Sequence, residues 1–410
     1  DSTVLGHAIE GERRKFFRAL DADLRQQVAD KRPNIAAIYL DVFGFSRGAA
    51  QARVFTTWLH DLLLTGGQLF GVPAYVRMLG LFDTVASVGV TDALGSYGHG
   101  GWATAHNLRI HPEMKNCLHY VPLHEFRANF PVDGVAQDGK TPPNCQQLYS
   151  PGAHSDVGGG YGPGEQGKGV RMERDMRYDH SPVWKAERDD SLKLSNLPLN
   201  QMLAAAKTAC RGHPASPWIE YNTQEADDLK LGKRFGVESL DKVREAVGAC
   251  FANSGVSEDL SASEALRHHG LLYLAWRYRV SEAGGFEQLA SVQRSRKLSP
   301  PDPELDYYLA GQQIFKDQIR LLSTPPPVID LNLTGDKEKR RGFHSQANAI
   351  FARMRATRPH SSVGEFFDGW VHDSYAGFIG KFQKGVFSWA TRTGKLTHIA
   401  AEAQRYVRWR

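Results

Sequence analysis

Three short stretches carry residue types that together could break an acyl bond. Gly44-Phe45-Ser46-Arg47-Gly48 is a GxSxG pentapeptide. An apolar run of strand length, residues 35–43, leads into it, and a helical pattern from about Arg47 to Leu64 leads out. A serine nucleophile needs that strand-to-helix setting. The turn is tight enough to favour glycine two residues to either side, and it leaves the Ser46 hydroxyl exposed with the Arg47 N–H facing a developing oxyanion.

A serine hydroxyl reacts only when a base takes its proton, and the base needs a carboxylate to fix its tautomer. In elbow enzymes the acid precedes the histidine along the chain. Asp83 stands directly after the apolar run Met78-Leu79-Gly80-Leu81-Phe82, at the carboxyl end of a predicted strand, 75–82. His154 lies in the glycine-rich stretch Pro151-Gly152-Ala153-His154-Ser155-Asp156-Val157-Gly158-Gly159-Gly160, just after a strand predicted at 146–149. His372, in Val371-His372-Asp373-Ser374, is a rival base that chain order also allows. Asp156 is a candidate for supporting the base through hydrogen bonds; as a single carboxylate it does not make a calcium site. This chemistry calls for no metal or cofactor.

Helical spacing over 8–31, then strands and helices in alternation, imply an α/β fold with a mostly parallel sheet flanked by helices. The stretch 158–195, glycine-rich and then charged, reads as loop. Helical patterns resume at 196–209, 239–252 and 261–279, and Pro-rich punctuation falls at 298–303 and 323–327. The expected organisation is a catalytic core over 1–165, a mainly helical insertion or second module over 166–345, acting as a lid or membrane module, and a basic, aromatic helical segment over 346–410.

The chain has 410 residues with a formal net charge of +5 and four scattered cysteines. No apolar run approaches the roughly 18 residues of a membrane span. The cysteine spacing excludes a zinc ribbon and a disulfide framework. The charge is uneven, because residues 346–410 carry 10 basic and 4 acidic groups together with eleven aromatics. Such a segment suits an anionic lipid surface, with Lys and Arg at the headgroups and Trp and Phe at the interface.

Three motifs in order, Gly44–Ala49, Leu81–Gly89 and Pro151–Tyr161, resemble the α/β-hydrolase domain of the type VI secretion phospholipase effectors, Tle family 1. The resemblance covers roughly 35–162, and His372-Asp373-Ser374 looks like a late element of the same effectors. It implies Ser46 as nucleophile, Asp83 as acid and His154 as base. It also implies an antibacterial phospholipase A without cofactor, delivered to a rival cell's periplasm and cytoplasmic in the producer until delivery. The partners implied are a phospholipid membrane, a cognate immunity protein and a secretion spike component, with no nucleic acid. The family usually opens with a strand and an Asp-Gly-Thr element before the elbow. Residues 1–34 instead read as one helix, so the first strands are expected to be missing from this chain. Two other readings compete: a soluble carboxylesterase or thioesterase, and a non-catalytic α/β scaffold that binds a partner through its basic tail.

Overall fold

The computed structural model describes residues 2–30, 35–86, 102–127, 130–175, 183–211, 237–257, 260, 262–323, 348–374, 376 and 407–408. Helix α1 (Ser2–Asp30) precedes strand β1 (Ile38–Phe45) and helix α2 (Arg47–Trp58), whose end widens into a π-helical turn at Leu59–Leu63. Strands β2 (Val72–Phe82), β3 (Cys117–Pro122) and β4 (Cys145–Ser150) follow. The four strands form a parallel sheet in the order β1-β2-β3-β4, with Gln68–Leu69 added antiparallel at the start of β2. The α/β fold with a mostly parallel sheet is therefore as the sequence pattern implies.

Burial on both faces explains the near-continuous apolar runs in the strands. Ala74, Val76, Leu79 and Leu81 of β2 pack against Ala49 and Ala52 of α2 and Leu59 and Leu63 of its π-helical turn. Met78 of β2 and Leu118 and Tyr120 of β3 face the opposite way, against Met202, Ala206 and Ala209. A register shift opposite Leu40/Asp41 keeps Val76 and Leu79 on one face despite their odd spacing. Gly80 lets the helix bearing Met202 close on the sheet, since a Cβ there would stand 2.7 Å from the Met202 Sδ.

After β4 comes a short helix, α3 (His154–Gly158). The stretch read as loop then holds an antiparallel hairpin, β5 (Val170–Asp175) with β6 (Val183–Arg188). Its charges sit in register, Arg171 opposite Glu187 and Glu173 opposite Lys185, so charge alternating across paired strands has the same composition as a loop. Helices α4 (Asn196–Arg211), α5 (Val237–Asn253), α6 (Ala262–Glu282), α7 (Leu305–Ser323) and α8 (Ser361–Gly369) follow.

Apart from α4, which covers the sheet, these helices bury a second core that includes Val243, Leu274, Trp276, Phe286, Phe315 and Phe367. Residues 361–374 fasten it to the chain after β4. The Gly169 N–H donates to the Gly369 carbonyl at 3.0 Å, Lys168 Nζ to the Asp368 carbonyl at 2.7 Å, and the Asp373 N–H to Gln166 Oε1 at 2.7 Å. Among the described residues no helix is long and apolar enough to cross a membrane. The four cysteines are free and buried. Of the basic, aromatic C-terminal segment, residues 377–406 and 409–410, including Trp389, Arg405, Trp409 and Arg410, lie outside the described residues.

Candidate active site

The register of the sheet brings the ends of the strands to one edge. Phe45 pairs with Phe82, Phe82 with Tyr120, and Tyr120 with Leu148. Ser46, Asp83 and the loop bearing His154 leave the sheet at these ends, where α/β folds gather catalytic groups.

Ser46 joins β1 to α2 with φ 59° and ψ −123°, a backbone conformation that side chains rarely adopt and that costs about 1–3 kcal/mol. Hydrogen bonds hold it there. The Ser46 N–H donates to the Phe82 carbonyl at 2.9 Å, and the Ser46 carbonyl accepts from the N–H groups of Ala49 at 3.1 Å and Val85 at 3.2 Å. Gly44 has no room for a side chain, because a Cβ would lie 2.3 Å from the Gly48 carbonyl oxygen. Gly48 differs from expectation: a Cβ there meets nothing within 4 Å, so its share in the close approach is its own backbone. The N–H of Arg47 belongs to the first turn of α2, where amides have no acceptor within the helix and suit an anion.

Asp83, fully buried, follows β2 with its N–H donating to the Tyr120 carbonyl at 2.7 Å. Its Oδ2 lies 2.6 Å from His154 Nδ1. A carboxylate at that nitrogen takes the Nδ1 proton in its hydrogen bond and leaves Nε2 as the basic nitrogen. The His154 ring packs on Phe45, the residue before Ser46, with centroids 4.4 Å apart, and edge-on against Phe130 at 4.9 Å. Gly158 makes this possible, since a Cβ there would be 2.1 Å from the Phe45 ring. The imidazole is thus seated beside the elbow by packing as well as by its carboxylate.

Several supporting residues escaped the sequence reading. Glu125 Oε2 accepts from the His154 N–H at 3.1 Å, and its Oε1 accepts from Arg127 Nε at 2.9 Å. Burial works against the Arg127 charge, but Glu125 outweighs it and holds the guanidinium pKa above its usual value. That cation lies over the Phe130 ring at 3.7 Å. On the other side, His119 Nε2 accepts from the Thr84 N–H at 3.1 Å, and Asp133 Oδ2 from the Ala86 N–H at 2.8 Å, fixing the turn that holds Asp83. An unrecognised β3 hid the first group. Pro122-Leu123-His124-Glu125 becomes a strand end only once Cys117–Pro122 is seen as a strand.

His372 does not meet Asp83. It forms a second buried pair, Nδ1 to Asp156 Oδ1 at 2.6 Å, and its N–H donates to Asp156 Oδ2 at 3.1 Å. The same Oδ2 accepts from the Ala153 N–H at 2.9 Å, and the His372 ring stacks on Tyr161 at 3.9 Å. Asp156 therefore links the backbone beside His154 to the distant strap at 372. Next to it, Asp373 lies 3.0 Å from Arg277 on α6, both fully buried. No metal-binding group includes any of these residues; among the described residues the one candidate group is His60, His111 and Glu113, elsewhere in the fold.

Residues 67–205 match the family model of the type VI secretion phospholipase effector, Tle1-like, catalytic domain. The chain resembles these effectors. Asp83 and His154 fall inside the matched stretch, and Ser46 lies before it. No curated protein matches. Similar solved structures include the following two. One, an uncharacterized protein from Pseudomonas aeruginosa, has 23% identity and a TM-score of 0.49, covering 88% of this chain and 58% of that one. The other, a Tle1 effector bound to the VgrG spike of the type VI secretion system, has 19% identity and a TM-score of 0.35, covering 64% of this chain and 63% of its own. This chain thus spans less than two thirds of the length of either.

Proposed function

We propose that the protein is a serine phospholipase of the A type, acting on the acyl esters of membrane glycerophospholipids. The observation that carries this reading is the 2.6 Å His154–Asp83 pair packed beside a strained serine elbow. The match to a phospholipase effector domain supports the substrate class.

Ser46 Oγ attacks the ester carbonyl while His154 Nε2 takes its proton, and Asp83 stabilises the resulting imidazolium. The Arg47 N–H helps hold the oxyanion at the helix N-terminus. Collapse of the tetrahedral intermediate expels the lysophospholipid oxygen, which takes the proton back from His154. Water, deprotonated by the same imidazole, then releases the fatty acid and restores Ser46. The same reading makes the enzyme an antibacterial toxin delivered by type VI secretion to a rival's periplasm. A spike component and a cognate immunity protein are its partners; of the basic, aromatic segment over 346–410, Phe366 and Phe367 are buried in the helical core, so contact with the lipid surface falls to its other residues.

The test is fatty-acid release from phospholipid vesicles, with products assigned by position. Ser46→Ala and His154→Ala should each lower kcat by roughly 10³-fold or more, as loss of a triad member does elsewhere. His372→Ala should keep more activity than His154→Ala, because its imidazole serves Asp156 and not Asp83. Wild-type turnover in Ser46→Ala would sink the proposal. Activity confined to short soluble esters would favour a carboxylesterase.

A further inference from the structure

At the far end of α2, roughly 20 Å of helix from Ser46, stands a cluster that the proposed chemistry does not use. His60 sits on the π-helical turn Leu59–Leu63, and π-turns re-aim side chains at functional sites. Its side chain is 6% exposed, yet neither ring nitrogen makes a hydrogen bond. Buried polar atoms almost always find partners, so a side chain with both nitrogens unsatisfied points to a missing ligand. Facing it are His111 and Glu113, from the loop that enters β3. One nitrogen of each histidine and one carboxylate oxygen of Glu113 lie within 4.8 Å of one another.

We propose that His60, His111 and Glu113 form a binding site for a divalent transition cation of the zinc type. Two imidazoles and a carboxylate suit Zn²⁺, which takes such ligands at about 2.0–2.2 Å with water as fourth ligand. The rings now stack in parallel, with centroids 4.5 Å apart, so small rotations must turn their lone pairs inward.

The donor pattern favours this. The Glu113 N–H donates to His111 Nδ1 at 3.2 Å, which places the ring proton on Nε2, 3.3 Å from Asp61 Oδ1; a cation would take the Nδ1 lone pair in place of that N–H. Asp61 is held in turn by Arg109, whose Nη2 donates to both carboxylate oxygens at 2.9 and 3.0 Å. A carboxylate behind a ligating histidine is the usual outer support of a zinc site. The ion would tie the end of α2 to the loop before β3, a structural task remote from Ser46.

The test titrates Zn²⁺ into the full chain by calorimetry, with Co²⁺ absorption as a report on ligand geometry and circular dichroism as a check on folding. One equivalent should bind, raise Tm and give a tetrahedral Co²⁺ spectrum. Glu113, 75% exposed, can be changed safely: Glu113→Gln should weaken binding, Asp61→Asn should weaken it by ~10–100-fold, and His111→Gln should abolish it. Absence of stoichiometric binding by the wild type, or binding by folded His111→Gln and Glu113→Gln as tight as the wild type, would overturn the proposal.

Discussion

Gly44→Ala asks for a methyl where the Gly48 carbonyl already stands, 2.3 Å from the new carbon. Neither group can swing aside, because both are backbone. The variant should lose about 1–3 kcal/mol of stability, read as a lower denaturant midpoint, while Gly48→Ala, with open space around it, should be far milder. The placing of Ser46, Asp83 and His154 at the strand ends was legible in the sequence because each lies in a local signal: an elbow, a strand end, a glycine-rich loop. Glu125, His119 and Asp133 were not. Their roles arise from which strand ends come together, and nothing in a stretch such as His124-Glu125-Phe126 announces that its carboxylate will hold the His154 backbone.

At the scale of elements, the loop after β3 meets α6 through two imidazoles, His124 and His269, whose centroids are 6.1 Å apart. Burial lowers both pKa values and, with a smaller contribution from His268, brings that of His269 to about 4. In the unfolded chain both rings titrate near 6.5, so between pH 6.5 and 4 the unfolded state binds more protons than the folded one. Stability is therefore retained above pH 6.5 and lost as pH falls toward 4, by about 3 kcal/mol for His269 alone. Urea unfolding across this range should show that loss, and His269→Phe should flatten it; an equal slope in the variant would refute the assignment. β1, β2 and β4 were readable as short apolar runs, and the helices at 196–211, 237–253 and 262–282 by their period. β3 was not, because His119, Tyr120 and Pro122 break an apolar pattern that burial on both faces nevertheless accommodates.

Across the whole molecule, the sheet and the helical core are joined by the strap at 369–374. Arg277 and Asp373 form an ion pair there with both side chains buried. Asp373→Ala would leave a buried cation and should cost about 3–5 kcal/mol, whereas Arg277→Met with Asp373→Leu together should recover most of that. Thermal unfolding of the three variants tests the pair. Motifs so far apart in the chain show nothing of this joint, since residue 373 finds its partners at 166 and 277 only after both cores have formed.

The backbone at Ser46 carries a last consequence. Its torsions are those of a glycine, so the position proposed as nucleophile is the one the fold would fill differently if stability alone decided. Ser46→Gly should give a protein about 1 kcal/mol more stable and catalytically dead, while Ser46→Ala, equally inactive, should gain nothing because its Cβ keeps the same clash. A difference in Tm between these two variants would measure how far the native protein is held from its own most stable form.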